Sequence, residues 1–143
     1  MKRTTKNAVL VLLAVLFLAS ALSVPAVAEE ASNQIAGHTI TVTAIGNGDL
    51  RVVASVFGTH SQMTKIGFPS VLLFERPNSN GSWSGVAAHS GKYNPNATAG
   101  SHTFTFTYQG VAGRQYHATS TNFAQDTLGS DTRGAVSPMI TAS

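Results

Sequence analysis

Cysteine is missing from all 143 residues, so the chain has no disulfide framework, no thiol nucleophile, no thiolate metal ligand and no cysteine-borne lipid. Acidic residues are nearly as scarce. The six of them, Glu29, Glu30, Asp49, Glu75, Asp126 and Asp131, are too scattered to read as the paired carboxylates of a glycosidase. The five histidines, His38, His60, His89, His102 and His117, show neither His-x-His nor His-x-x-x-His spacing, and no carboxylate lies close by in sequence. That pattern predicts no metal site. A serine nucleophile has no signature either, because Gly81-Ser82-Trp83-Ser84-Gly85 carries tryptophan where a hydrolase elbow carries its serine. The sequence therefore predicts a protein that is not an enzyme and uses no cofactor.

Helix periodicity is also absent. No stretch after residue 30 repeats apolar residues at spacings of three and four over several turns, whereas Thr, Val, Ser and Gly are abundant. Long apolar runs are missing with one exception. Residues 8–22 are apolar apart from Ser20, follow Lys2, Arg3 and Lys6, and precede Ala26-Val27-Ala28. A positive start, an apolar centre and a small-x-small site in that order predict a secretory signal peptide over residues 1–28. At fifteen residues the run is shorter than the roughly 20 that a membrane-spanning helix needs. The expected address is secreted and extracellular in a bacterial setting, with membrane contact only through the signal before cleavage.

Cleavage would also remove the charge surplus. Three of the nine basic residues lie in the signal, leaving Arg51, Lys65, Arg76, Lys92, Arg114 and Arg133 against six carboxylates and a net charge of zero. Without a clustered basic face the mature chain offers nothing to nucleic acid or to an anionic membrane.

What remains is strand pattern. The 115 residues after the signal suit one domain, read as a flexible N-terminal segment over 29–37 followed by a single β-sandwich over 38–143. Residues 38–45 alternate Ile40, Val42 and Ala44 with threonines, Gly46-Asn47-Gly48 supplies hairpin-turn chemistry, and 50–57 place Leu50, Val52, Ala54 and Val56 on one face. Residues 70–76 hold the unbroken run Val71-Leu72-Leu73-Phe74, read as a central strand, and Pro77-Asn78-Ser79-Asn80-Gly81 closes it. Residues 82–89 resume in extended form. Residues 101–108 put His102, Phe104, Phe106 and Tyr108 on one face, which the alternation assigns to the core. Strands over 114–123 and 134–141 complete the set, the last with Pro138 marking an edge or bulge. Seven short antiparallel strands at this spacing predict an all-β, two-sheet sandwich.

One segment adds a family resemblance. Gly110-Val111-Ala112-Gly113-Arg114-Gln115-Tyr116-His117-Ala118-Thr119 resembles the part of fibronectin type III and related immunoglobulin-like domains where a glycine-containing turn leads into a strand carrying a tyrosine. Ser137-Pro138 before a closing Thr-rich strand is similar to the family's end. The resemblance implies an immunoglobulin-like sandwich in which Tyr116 packs at a corner and its hydroxyl bonds to nearby backbone. The tryptophan that such domains carry on the second strand has no counterpart in residues 50–57. In layout the chain also resembles small secreted proteins of Gram-positive bacteria, which implies an address and a fold but no activity.

Antiparallel strands send successive connections to alternate ends of the sandwich. The predicted connections 46–48, 77–81 and 109–113 are short, whereas 58–68, 90–100 and 125–133 are long, so the long loops are expected to gather at one end as a binding surface. The groups there best suited to sugar hydroxyls or a polar protein surface are Tyr93, Lys92, Asn94, His60, Asp126, Asp131 and Arg133. Tyr93 is the ring expected to stand partly exposed, or else to plug the sandwich end; Trp83 is expected to seal the core's rim. The predicted function is non-catalytic binding of an extracellular glycan or surface protein, with a self-associating envelope or matrix component as the alternative and a small hydrolase as a third.

Overall fold

Alternation becomes burial most directly in β2 (Asp49–Gly58), where Leu50, Val52, Ala54 and Val56 are all fully buried. The computed structural model describes residues 33–143; the predicted signal peptide and residues 29–32 lie outside the described residues. β2 is the centre of a three-stranded antiparallel sheet, flanked by β1 (Ile35–Gly46) and β5 (Ser101–Gln109). The turn between β1 and β2 is the two-residue Asn47-Gly48, both with positive φ (56° and 82°). Such a turn matches the right-handed twist of its strands. β1 takes in residues 35–37, which alternation alone left ahead of the strand, and Gln34 accepts a backbone hydrogen bond from Thr59.

The second sheet runs β4 (Ser84–Tyr93), β3 (Lys65–Arg76), β6 (Gln115–Gln125) and β7 (Ser130–Val136), with β8 (Ile140–Thr141) also pairing with β6. All of its pairings are antiparallel. The two inner faces close on Phe68, Val71, Leu73, Tyr116 and Ala118 from this sheet and the β2 residues from the other. Fully burying a residue such as Phe68 or Leu73 is worth about 1.5–3 kcal/mol, so this layer is the main source of stability. The all-β sandwich expected from the sequence is the fold observed, with a short eighth strand in addition.

Several boundaries move. β3 starts five residues earlier than the predicted strand over 70–76, because a register shift between Gly67 and Ser70 absorbs Pro69 and lets pairing continue to Lys65. β4 runs on to Tyr93, so the predicted loop over 90–100 begins only at Asn94, and Trp83 precedes the strand rather than opening it. β7 starts at Ser130, and the chain leaves the ladder at Ser137, Pro138 and Met139 before β8. The asymmetry of loop lengths therefore shrinks: connections of six, seven and four residues at one end face two, seven and five at the other. The aromatic face of β5 is only half-buried, since β5 is an edge strand and its rings overhang one side of the sandwich. In β3, Val71 and Leu73 point into the core while Leu72 and Phe74 lie half-buried on the outer face.

Candidate functional site

At the end where connections two, four and six meet, polar groups are spent on one another. Gly58 donates to the Gly100 carbonyl, Ala99 to Met63, and Thr64 to Gln125, so the three connections are tied through backbone. His60 adds a side-chain tie. Its Nε2 lies 3.0 Å from Asp126 Oδ2, and its Nδ1 accepts the Gln62 backbone N–H at 3.2 Å. Both bonds are met at once by the neutral ring with its proton on Nε2. The other Asp126 oxygen accepts from the Leu128 and Gly129 amides at 2.7 and 3.0 Å, fixing the turn into β7. The His60 bond first, then the Leu128 and Gly129 amides, hold the Asp126 carboxyl below the usual range against a smaller upward push from burial.

Asp126 thus stabilises the folded state above the ordinary carboxylate pKa, and that contribution is lost as pH falls through its lower folded value. Asp126→Ala is expected to speed hydrogen exchange at the Leu128 and Gly129 amides and to flatten the acid limb of the stability profile. Unchanged exchange at both amides would contradict the role given to this carboxylate.

The other sequence candidates are divided between loop and strand. Asn94 sits in the fourth connection, where its amide donates to the Ser101 carbonyl and its carbonyl oxygen accepts from Asn96 N, an Asx turn. Tyr93 and Lys92 are on β4, and Asp131 and Arg133 are on β7, 3.4 Å apart. Tyr93 lies half-buried on the outer face of the five-stranded sheet, edge-on to Phe123 at 6.2 Å, with Lys65 Nζ 4.2 Å from its ring centroid. Lys92 reaches the other way, 5.4 Å from the Phe104 ring. These seven residues do not form one concave site: His60 and Asp126 meet, Asp131 and Arg133 meet, and Tyr93 and Lys92 separate.

A different cluster occupies the opposite corner of the same outer face. Phe74 on β3 and His117 on β6 are cross-strand partners whose rings stack at 5.1 Å. Trp83 stands edge-on to His117 at 4.2 Å, and the Arg76 guanidinium carbon sits 4.6 Å from the Trp83 ring centroid. Arg76 is itself held, Nε donating to Gln115 Oε1 at 2.7 Å. Burial, and then the Arg76 charge, push the His117 pKa down, so its ring is neutral near pH 7. Beside these rings an open concavity of about 330 Å³ is lined by Leu72, Phe74, Gly85, Val86, Ala87 and Ala88.

Trp83 accordingly packs on the outside of the sheet, not against the core rim. The reason is the late start of β4, which leaves Trp83 in the connection where it folds over His117. Sequence reading missed the cluster because Arg76, Trp83 and His117 come from three elements. The usable signal was Phe74, the outward member of an alternation hidden inside an apolar run.

Among the described residues no group of three His, Asp or Glu side chains is placed to hold a metal ion. Comparison with family models, curated proteins and solved structures finds no match to this chain.

Proposed function

We propose that this chain is a secreted, non-catalytic β-sandwich module that binds an extracellular glycan or surface protein, and that it does so at the Trp83 corner. The observation that carries the reading is the clamping of a half-exposed indole between the Arg76 guanidinium and the His117 ring. An aromatic surface held in one orientation loses little entropy on binding and can stack against a sugar face or anchor a protein contact. The neighbouring turn adds the exposed side chain of Asn80 and the side-chain amide group of Asn78, whose carbonyl oxygen accepts from Asn80 N, and the apolar concavity adjoins it. The other end of the sandwich is less suited, because His60, Asn94 and Asp126 are already engaged within the protein.

The same bonds support a non-catalytic reading. In the His60–Asp126 pair the second ring nitrogen receives a backbone N–H, so it is not offered to a nucleophile. A fibronectin type III or immunoglobulin-like assignment belongs to the proposal as well. Its support is the strand order β1-β2-β5 against β4-β3-β6-β7 and the Tyr116 hydroxyl, which accepts the Val111 N–H at 2.8 Å from the start of β6.

Glycan arrays and capture on cell surfaces, probed with the labelled protein, test the reading. Trp83→Ala is expected to cost about 2 kcal/mol, roughly a 30-fold loss of affinity, while His60→Ala binds as the parent does. Binding that survives Trp83→Ala and fails with His60→Ala would move the site to the loop end; no binding to any probe would sink the reading.

A further inference from the structure

Between Pro77 and Gly113, a run of 37 residues, the only formally charged side chain is Lys92. That run contains β4 and β5, which are edge strands of opposite sheets; among the described residues β4 pairs only with β3, and β5 only with β2. The two edges border the same side of the sandwich. His89 of β4 lies 5.2 Å from the ring of Phe104 and 4.3 Å from that of Phe106, both on β5, and all three rings are half-buried. Open backbone ladders, rings short of full burial and a near absence of charge thus coincide on one side. Exposed edges are normally blunted with charge, proline or bulges; β7, the other edge of the five-stranded sheet, has Asp131 and Arg133 within it and Pro138 just beyond, whereas β4 has only Lys92 and a single bulge at Val86.

We infer that the β4/β5 side is covered by a second copy of this chain, related by a two-fold axis perpendicular to the sheets. A single extended peptide can extend only one of the two ladders. The two-fold sets β4 antiparallel to the partner's β4 and β5 antiparallel to the partner's β5 in one step, since it reverses every strand it relates. Both sheets then continue across the interface, and His89, Phe104 and Phe106 lose their remaining water.

Charge does not oppose this. The chain after residue 28 has equal numbers of acidic and basic residues, so there is no net self-repulsion. Lys92 sits near one end of β4, where the axis sends its counterpart toward the opposite end. Gly85, Ala87 and Ala88 in the first half of β4 present no bulky side chain against an incoming strand. The pairing stands apart from the identity of any ligand at Trp83, and its consequence for that site is two Trp83 corners on one continuous face.

Sedimentation equilibrium across a wide concentration range, on the full chain as the producing cell processes it, tests the inference. The expected mass rises twofold and stops there. Ala88→Lys and Thr105→Lys, at exposed positions on β4 and β5, should each hold the protein at the monomer mass. Mixing Ala88→Lys with Ala88→Glu should restore the twofold mass, which a merely unfolded variant could not do. A wild-type protein monomeric throughout, a dimer indifferent to both lysines, or growth beyond two copies would each overturn it.

Discussion

Gly67→Ala is expected to destabilise the domain by about 3 kcal/mol or more, among the largest effects of any single methyl group in this protein. Gly67 has a φ of +155°, a backbone setting that side chains rarely adopt. A Cβ there would lie 2.3 Å from the Lys92 carbonyl oxygen, 2.6 Å from Tyr93 Cα and 3.0 Å from a Tyr93 ring carbon. Two of those three atoms are backbone of the paired strand, so relief requires β3 and β4 to separate, not a side chain to turn. The glycine sits between Tyr93 and Phe123 in the register, and its missing side chain is what lets the two rings close over the strand beneath Lys65.

Two other glycines calibrate the measurement. Gly91 has a φ of +64° but nothing within 4 Å of its would-be Cβ, so Gly91→Ala isolates backbone strain at about 1–2 kcal/mol. Gly134 has neither constraint, and Gly134→Ala should be near neutral. Urea unfolding of the three variants should give that ranking. Should Gly67→Ala prove no worse than Gly91→Ala, the close approach of the two strands would be unneeded for stability.

That corner also shows why part of the fold was legible and part was not. Where one residue in two is apolar and the turn is Asn-Gly, as in β1 and β2, the strand and its buried face follow from the sequence, because period two and a positive-φ turn admit few other arrangements. Gly67, Pro69, Gly91 and Pro95 are residues that ordinarily punctuate loops, so local propensity starts β3 too late and ends β4 too early. The structure uses the first two for a bulge inside the strand, a tertiary solution that local propensity does not encode.

The candidate sites fared according to sequence separation. His60 and Asp126 are 66 residues apart, and Arg76, Trp83 and His117 come from a strand end, a connection and another strand. Only the register of β3 on β6, which sets Phe74 beside His117, brings the second group together. Knowing that the chain formed a sandwich was enough to say which connections share an end. It was not enough to say whether polar groups there face solvent or one another, since that depends on distances of a few ångströms between loops.

Tyr116→Phe is expected to cost about 2 kcal/mol at neutral pH and to change both limbs of the pH–stability profile. The Tyr116 ring is fully buried, while its hydroxyl accepts from Val111 N at 2.8 Å and donates to Glu75 Oε2 at 2.5 Å. Arg114 holds the other Glu75 oxygen. Removing one oxygen therefore strands a backbone donor and withdraws a donor from a carboxylate whose side chain is 13% exposed. Burial, followed by the bond to Glu75, raises the Tyr116 pKa to about 12. Its contribution is fully present below the ordinary tyrosine value of about 10 and is lost as pH climbs through the folded one, so the parent should weaken between those limits and Tyr116→Phe should lack that alkaline loss. For Glu75, burial alone pushes the carboxyl up, but the hydrogen bonds from Tyr116 and Arg114 and the Arg114 charge outweigh it and hold the group below the usual range. Its contribution is present above the ordinary carboxylate value and lost as pH falls through the lower folded one. Without the Tyr116 donor that folded value rises, and acid unfolding should begin at higher pH. Denaturant midpoints followed from acid to alkali for both proteins decide the matter: a variant whose curve runs parallel to the parent's at every pH would show that the hydroxyl contributes packing alone, with no hold on the Glu75 charge.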